Sequence, residues 1–372
     1  DFCLSRGLGD VYKRQVKGVK MGEENKQIYF VCGGGHQGLA MAAHLALNGE
    51  KVTLWNRTPE HIDEIMRTGR IYCSGEVNGI AKIEKASDNI EEVVTSYILV
   101  TVPSTAYHDV AQELAPYVNR NTVIVLNPGR TFGAIEFSEE LKKNGVKEMP
   151  QIAETQTIVY TCRRSDKNCV TIFAMKRDVE IAALDRMYLN NILKKMPVCL
   201  QKYFVAQKSV AYTSFANVGM ILHCAPVLMN IGWIENKKVD FKYYYDGISK
   251  SVAKYIEKMD AERINVAKEL GYKIESVSEW LRRTYNVEGT DLYECIKNNI
   301  AYREIDAPPS LNSRYIYEDV PNGLVPIEDI GKQLSVDTKY ITNIIDLANG
   351  VYDSDFRKTG RQFPVQTIKQ YF

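Results

Sequence analysis

The sequence predicts an N-terminal α/β domain built on a doubly wound sheet, followed by an all-α C-terminal domain. Three observations predict it. A short apolar run rich in β-formers ends directly on a G-x-G-x-x-G turn; apolar runs then alternate with amphipathic segments to about residue 195; and from about Met196 the pattern is helical almost throughout. The expected divisions are a non-native tail at 1–20, a sheet domain at 21–195 and a helical domain at 196–372. A chain of 372 residues has room for two such domains, each able to close its own core.

The first strand is read at Ile28–Cys32, the turn at 33–38 and a helix at 39–47. In that order the glycines have separate work. Gly33 makes the tight turn, Gly35 lets a pyrophosphate approach the backbone and Gly38 lets helix and strand pack closely, with His36 and Gln37 between them. Phosphates would rest on the unpaired N–H groups of the helix N-terminus. A second strand at Lys51–Trp55 ends on Asn56, 21 residues past Gly35, where an NAD-preferring domain usually carries an acid for the ribose hydroxyl. Asn56 is neutral and is followed by Arg57 and Thr58, and an arginine there can pair with a 2′-phosphate. The Asn-Arg-Thr run resembles NADP-preferring members of the β-hydroxyacid dehydrogenase group. NADP(H) is therefore favoured over NAD(H), with Arg57 free in solvent as the bland alternative.

The α/β rhythm continues through a helix near 59–67, a hairpin at 70–83 turning at Asn78-Gly79, and a buried-type strand at 97–102 that Pro103 ends at the cofactor-facing edge. A helix at 107–115, a strand at 122–126, the turn Asn127-Pro128-Gly129-Arg130-Thr131 and a further helix complete the sheet. Its ligand crevice lies at the carboxyl ends of the strands, near Ser104, Thr105, His108 and Thr131, which also serve as ordinary turn and cap residues.

In the second half, long amphipathic segments run at 249–270 and 337–347. The first has an apolar face interrupted by Arg263, whose expected partner is Asp260 or Glu262. Two stretches stand out chemically. Residues 217–226 set His223 in an otherwise apolar helix, where its surroundings can tune an imidazole for proton transfer or simply satisfy it as a core residue. Residues 308–323 form a loop rich in Pro, Ser, Asn and Gly that carries Arg314 and Asp319. A solvated pair is the plain reading; the functional one has Arg314 grip a carboxylate and Asp319 orient an imidazole.

Composition narrows the partners. Lys plus Arg number 47 against 46 Asp plus Glu, with no long run of one sign, so neither nucleic acid nor an acidic membrane is expected. Eight cysteines without C-x-x-C spacing read as reduced thiols in a cytoplasm, and no metal cluster is evident. No apolar stretch is expected to reach the length of a membrane span, and no secretory leader is evident. Residues 10–15 back-translate to GATGTGTATAAGAGACAG, which resembles a transposase adapter read through as protein; residues 1–15 are set aside and Met21 is taken as the native start.

Several separated motifs, in order and covering nearly all of the chain after Met21, make it similar to the opine dehydrogenases, the octopine/nopaline dehydrogenase family. They are the turn at 33–38, Asn127-Pro128-Gly129, Ala153-Glu154-Thr155-Gln156-Thr157 with Tyr160 and Arg163, the helix at 217–223, Asp260-Ala261-Glu262-Arg263, and Arg314-Tyr315 to Glu318-Asp319-Val320-Pro321. The resemblance implies a Rossmann domain followed by a helical domain like the C-terminal one of 6-phosphogluconate dehydrogenase. It also implies NAD(P)H-dependent reductive condensation of an α-keto acid with the amine of an amino acid. By position, it implies that His223 is the catalytic histidine, Asp319 its partner and Arg314 the substrate-carboxylate arginine. Cys224-Ala225 before Pro226 departs from the family, in which an earlier proline is expected, and the role of Glu154, Thr155 and Gln156 stays open. Two other readings also stay open: a 2-hydroxy-acid or ketopantoate-type reductase, and a non-catalytic NADP-binding sensor. Monomer and homodimer are both compatible with the sequence; the segment 241–245, rich in tyrosine, fits an interface or packing within the domain.

Overall fold

A computed structural model describes residues 26–236 and 240–371. The adapter-like tail, Met21 and Cys3 lie outside the described residues. Strand β1 (Ile28–Cys32) leads into α1 (His36–Leu47), β2 (Lys51–Trp55), α2 (Asp63–Thr68), the hairpin β3 (Arg70–Gly75) and β4 (Gly79–Lys82), and β5 (Lys85–Ser87). Then come β6 (Tyr97–Val100), α3 (Tyr107–Leu114), β7 (Val123–Leu126), α4 (Gly133–Lys143), β8 (Gln151–Thr155), β9 (Tyr160–Asp166), β10 (Cys169–Met175) and β11 (Val179–Ala183).

Two sheets result. The larger has eight strands in the order β12-β11-β8-β7-β6-β1-β2-β5, and β12 (Phe204–Ala206) is reached through α5 (Leu189–Lys195) and α6 (Val198–Gln201). Its neighbours are parallel except β8 with β11, and β1 lies between β2 and β6, so the chain reverses its direction of winding at that point. This leaves a crevice at the carboxyl ends of β1 and β6. Strand β12 carries the sheet past the division expected at residue 195. The predicted hairpin belongs to a separate sheet of four strands, β4-β3-β10-β9, whose other half comes from far along the chain. Helix α1 touches strands of both sheets, which is why it is apolar nearly all round and buried from Gly38 to Leu45.

The second half consists of α7 (Val210–Phe215), α8 (Val218–Met229), α9 (Ile231–Glu235), α10 (Lys250–Glu269), α11 (Val277–Tyr285), α12 (Leu292–Asn298) and α13 (Arg314–Tyr317). A π-helical turn at Val320–Leu324 and then α14 (Val325–Leu334), α15 (Lys339–Tyr352), α16 (Phe356–Thr359) and α17 (Val365–Lys369) complete it. Helix α8 packs against α10, α13 and α15 at the centre of a core of its own. One expectation is corrected here. Val210–Met229 is long and apolar enough to cross a membrane, but 83% of it is buried inside the fold and it is broken into α7 and α8, so its apolarity serves the core. Arg263 is wholly buried and pairs with Asp260 (2.6 Å), whereas Glu262 accepts from the N–H groups of Tyr340 and Ile341 at the start of α15.

Candidate active site

At the first glycine turn the backbone is committed to a close approach. Gly33 has φ +120°, and a Cβ on Gly38 would fall 1.6 Å from the Gly33 carbonyl oxygen, so no side chain fits there. The space beside Gly35 is open, and α1 begins on Gly35 with no side-chain cap for its first N–H groups. Gln37 leaves a buried Oε1 with no partner among the described residues. These features fit a dinucleotide diphosphate. The turn is braced from the second sheet: Arg164 on β9 donates to the carbonyls of Gly34 (2.9 Å) and His61 (2.5 Å), and its N–H donates to His36 Nδ1 (2.8 Å).

The neighbouring cleft, about 510 Å³, is lined by Trp55, Asn56, Arg57, Thr58, Pro103 and Asp109 among others. Asn56 is occupied in the turn itself, accepting from Gly34 N–H (2.9 Å) and donating to Thr58 O (2.8 Å). Arg57 is exposed at this cleft and pairs there with Asp109 at 2.6 Å. Pro103 precedes Ser104, whose N–H donates to Glu318 Oε1 (2.8 Å), so the end of β6 is tied directly to the loop that carries the candidate catalytic acid.

His223 and Asp319, 96 residues apart, meet through Nδ1 and Oδ2 at 2.7 Å. With the carboxylate ionised, Nδ1 carries the proton and donates, which leaves Nε2 to accept; the Tyr244 hydroxyl lies 3.2 Å from it. The imidazole also stacks on Tyr315, with centroids 4.1 Å apart. Burial pushes the imidazole below its ordinary pKa. The guanidinium groups of Arg314 and Arg130 act in the same direction and Asp319 opposes them. Burial alone would raise Asp319, but Arg130 and His223 outweigh it and hold the carboxyl below its usual range. Asp319 immediately precedes the π-helical turn, a distortion that often marks functional sites.

Arg130 is a residue that sequence reasoning did not single out. It is buried, with Nη2 3.0 Å from Glu318 and Nη1 3.4 Å from Asp319, and the two carboxylates hold it charged above its ordinary pKa despite desolvation. Its backbone is left-handed at φ 61°, a strained state held in place because Arg361 donates to the carbonyl of Gly129 (3.3 Å) on one side and Thr131 (2.9 Å) on the other. Gly219 on α8 makes room for it: a Cβ there would stand 2.7 Å from Arg130 Nη1 and 3.5 Å from His223 Cε1. Its only prior signal is the Asn-Pro-Gly-Arg turn; its partners lie 188 and 189 residues later.

Arg314 is half-exposed at the same place, 3.8 Å from Glu318, with its guanidinium over the Tyr315 ring. A second missed cation, Lys176, follows β10. Its Nζ donates to Ile158 O (3.0 Å), and burial, with Arg130 and Arg314 facing it, pushes its pKa down to about 8. Other expected residues make contacts within the fold. Exposed His108 pairs with the largely buried Glu140 at 2.8 Å. Buried Glu154 accepts from Ala134 N–H, Thr213 and Ser214, and so ties α4 to α7; Gln156 donates to Ala216 O.

Residues 206–352 match the family model described as NAD/NADP octopine/nopaline dehydrogenase, alpha-helical domain, and residues 29–128 match that of ketopantoate reductase PanE/ApbA. The chain is 37% identical to an opine dehydrogenase of Arthrobacter sp. (strain 1C) over 336 residues, covering 90% of this chain and 93% of the relative. Among solved structures, an octopine dehydrogenase in complex with NADH and agmatine superposes with a TM-score of 0.73 at 17% identity, over 92% of this chain and 95% of the other. A yersinopine dehydrogenase with NADP+ bound gives 0.71 at 12% identity, over 93% and 99%. These two likenesses are of fold.

Proposed function

The chain belongs to the octopine/nopaline family of opine dehydrogenases, and from that premise we propose how its own residues carry the family's reaction. The reaction is the NAD(P)H-dependent reductive condensation of an α-keto acid with the amine of an amino acid, an oxidoreduction at a CH–NH group. The observation that carries the residue assignments is the buried His223–Asp319 pair, placed where the carboxyl ends of the strands meet the helical domain. A bound nicotinamide would supply the hydride.

The side chains account for the protons. Neutral His223, favoured by its lowered pKa, takes a proton from the ammonium of the amino acid; the amine adds to the keto carbon and the imidazolium protonates the alkoxide that forms; His223 then takes a second proton from the added nitrogen and gives it to the hydroxyl, which leaves as water as the C=N bond forms. One histidine therefore closes the proton balance of condensation without help from solvent. Asp319 holds the tautomer that keeps Nε2 available, and Arg130 holds Asp319 ionised. Arg314 and Lys176 are two cations facing one another's field, matched to the two carboxylates of the product. Closing the cleft excludes water that would hydrolyse the imine.

NADP(H) is the favoured cofactor, on the strength of neutral Asn56 and of Arg57 beside the adenosine side of the cleft; a 2′-phosphate would draw Arg57 from Asp109. The seven described cysteines are free thiols, as a reducing cytoplasm favours. Lys176 gives the hydroxy-acid reductase reading its one specific support, since a lysine of lowered pKa can act as the acid in a simple ketone reduction. The test is NADPH oxidation with a matrix of keto acids, with and without amino acids. Dependence on both substrates supports opine synthesis; full oxidation by a keto acid alone supports the reductase.

A further inference from the structure

The tyrosine-rich segment 241–245 is built onto His223, and this gives it a use beyond packing. Tyr243 donates its hydroxyl to the backbone carbonyl of His223 (2.6 Å), which fixes the segment against α8. The next residue, Tyr244, points its hydroxyl at Nε2, 3.2 Å away. Its ring is locked on both sides, stacked on Tyr302 with centroids 4.1 Å apart and edge-on to Tyr243 at 4.9 Å. The phenol is buried, and the charged groups whose fields reach it are Arg314, assigned above to a substrate carboxylate, and Asp319, the partner of His223. With Nδ1 committed to Asp319, Nε2 is the only nitrogen through which His223 can pass a proton to substrate. In this structure that nitrogen faces a phenol.

We propose that Tyr244 is a catalytic residue, the group through which His223 exchanges its proton with the substrate oxygen; this rests on the assignment of His223 as the proton-transfer residue. In the dehydration step the phenol O–H bond breaks as its proton forms the second O–H bond of the departing water. The imidazolium Nε2–H bond breaks as that proton replaces the one lost from the phenol. The C–O bond breaks, the nitrogen lone pair forms the C=N bond, and the step ends with neutral imidazole, an intact phenol, an iminium and water. No oxidant or further acid is needed. The transfer between imidazole and phenol runs over a fixed 3.2 Å, and the phenol carries the proton onward from a nitrogen that it covers.

Tyr244→Phe keeps the ring stack and removes only the hydroxyl, so it separates chemistry from packing. The expected result is a fall in kcat of about 100-fold, the lower end of general acid–base effects, with KM for either substrate changed by less than about two-fold and the melting temperature kept. In the ligand-free protein the 15N resonance of His223 Nε2 moves, as loss of a hydrogen bond to that atom requires. The double variant His223→Asn with Tyr244→Phe is no slower than His223→Asn alone, because both lie on one relay. Turnover of Tyr244→Phe within about two-fold of wild type, with His223→Asn inactive, overturns the relay and leaves the histidine assignment standing. Full activity in His223→Asn would instead overturn the assignment on which the relay rests.

Discussion

Replacing Arg130 by methionine removes one cation from between two buried carboxylates. The side chains of Arg130, Glu318 and Asp319 are 8%, 3% and 0% exposed, so solvent cannot take over the lost charge. Breaking a buried pair by removing one partner costs about 3–5 kcal/mol, and at about 2 °C per kcal/mol for a domain of this size the melting temperature falls by about 6–10 °C. The sign of its pH dependence follows. In the wild type both acids lie below their ordinary pKa, so their contribution is present above the unfolded values and is lost as pH falls through the folded ones. Without Arg130, burial raises them and protonation favours the fold. The melting gap between variant and wild type should therefore be wide at pH 8 and narrow at pH 4.5. The kinetics carry a second sign. Neutral His223 gives kcat/KM an acid limb below pH 6.5; Arg130 depresses that imidazole and Asp319 raises it, so Arg130→Met moves the limb upward and Asp319→Asn moves it downward. A variant that melts within about 1 °C of wild type at pH 8, or limbs that move the same way, would refute the reasoning.

Arg314→Met leaves stability unchanged because the side chain is half-exposed, and raises KM for the keto acid about 10- to 150-fold, the worth of a charged hydrogen bond of about 1.5–3 kcal/mol; steady-state kinetics check it. Lys176→Met raises KM for the amino acid in preference to the keto acid, which the same assay reads. Gly38→Ala has no room for its methyl, 1.6 Å from the Gly33 carbonyl oxygen, and abolishes NADPH binding in a fluorescence titration while the helical domain still folds. Arg57→Ala weakens NADPH about 10-fold and leaves NADH nearly unchanged, as loss of one partner of a 2′-phosphate requires.

The parts legible in the sequence are those written in consecutive residues. The run Ile28–Cys32 with the turn after it, the hairpin turning at Asn78-Gly79 and the amphipathic period of α10 each declare themselves locally, and each is present. What the hairpin pairs with could not be read, because β9 and β10 arrive about a hundred residues later and carry no mark of their partner. The same holds within the site. His223 and Asp319 stand out as a lone imidazole in an apolar helix and an acid in an ordered loop. Arg130 is one arginine in a turn, and only the folded chain shows its burial, its left-handed backbone and the gap left by Gly219. Arg164 and Lys176 are hidden for the same reason, as ordinary basic residues near strand ends until the second sheet folds over the glycine turn.

The most direct measurement follows the hydride into the product. The protein is incubated with NADPH deuterated at the transferred position, an α-keto acid and an amino acid, and the products are resolved by mass spectrometry. The expected product is a secondary-amine dicarboxylate, both substrates less one water plus the transferred deuteride and a proton, with the single deuterium on the former keto carbon, and it is lost in His223→Asn. A deuterated 2-hydroxy acid, formed with or without the amino acid, would contradict the account.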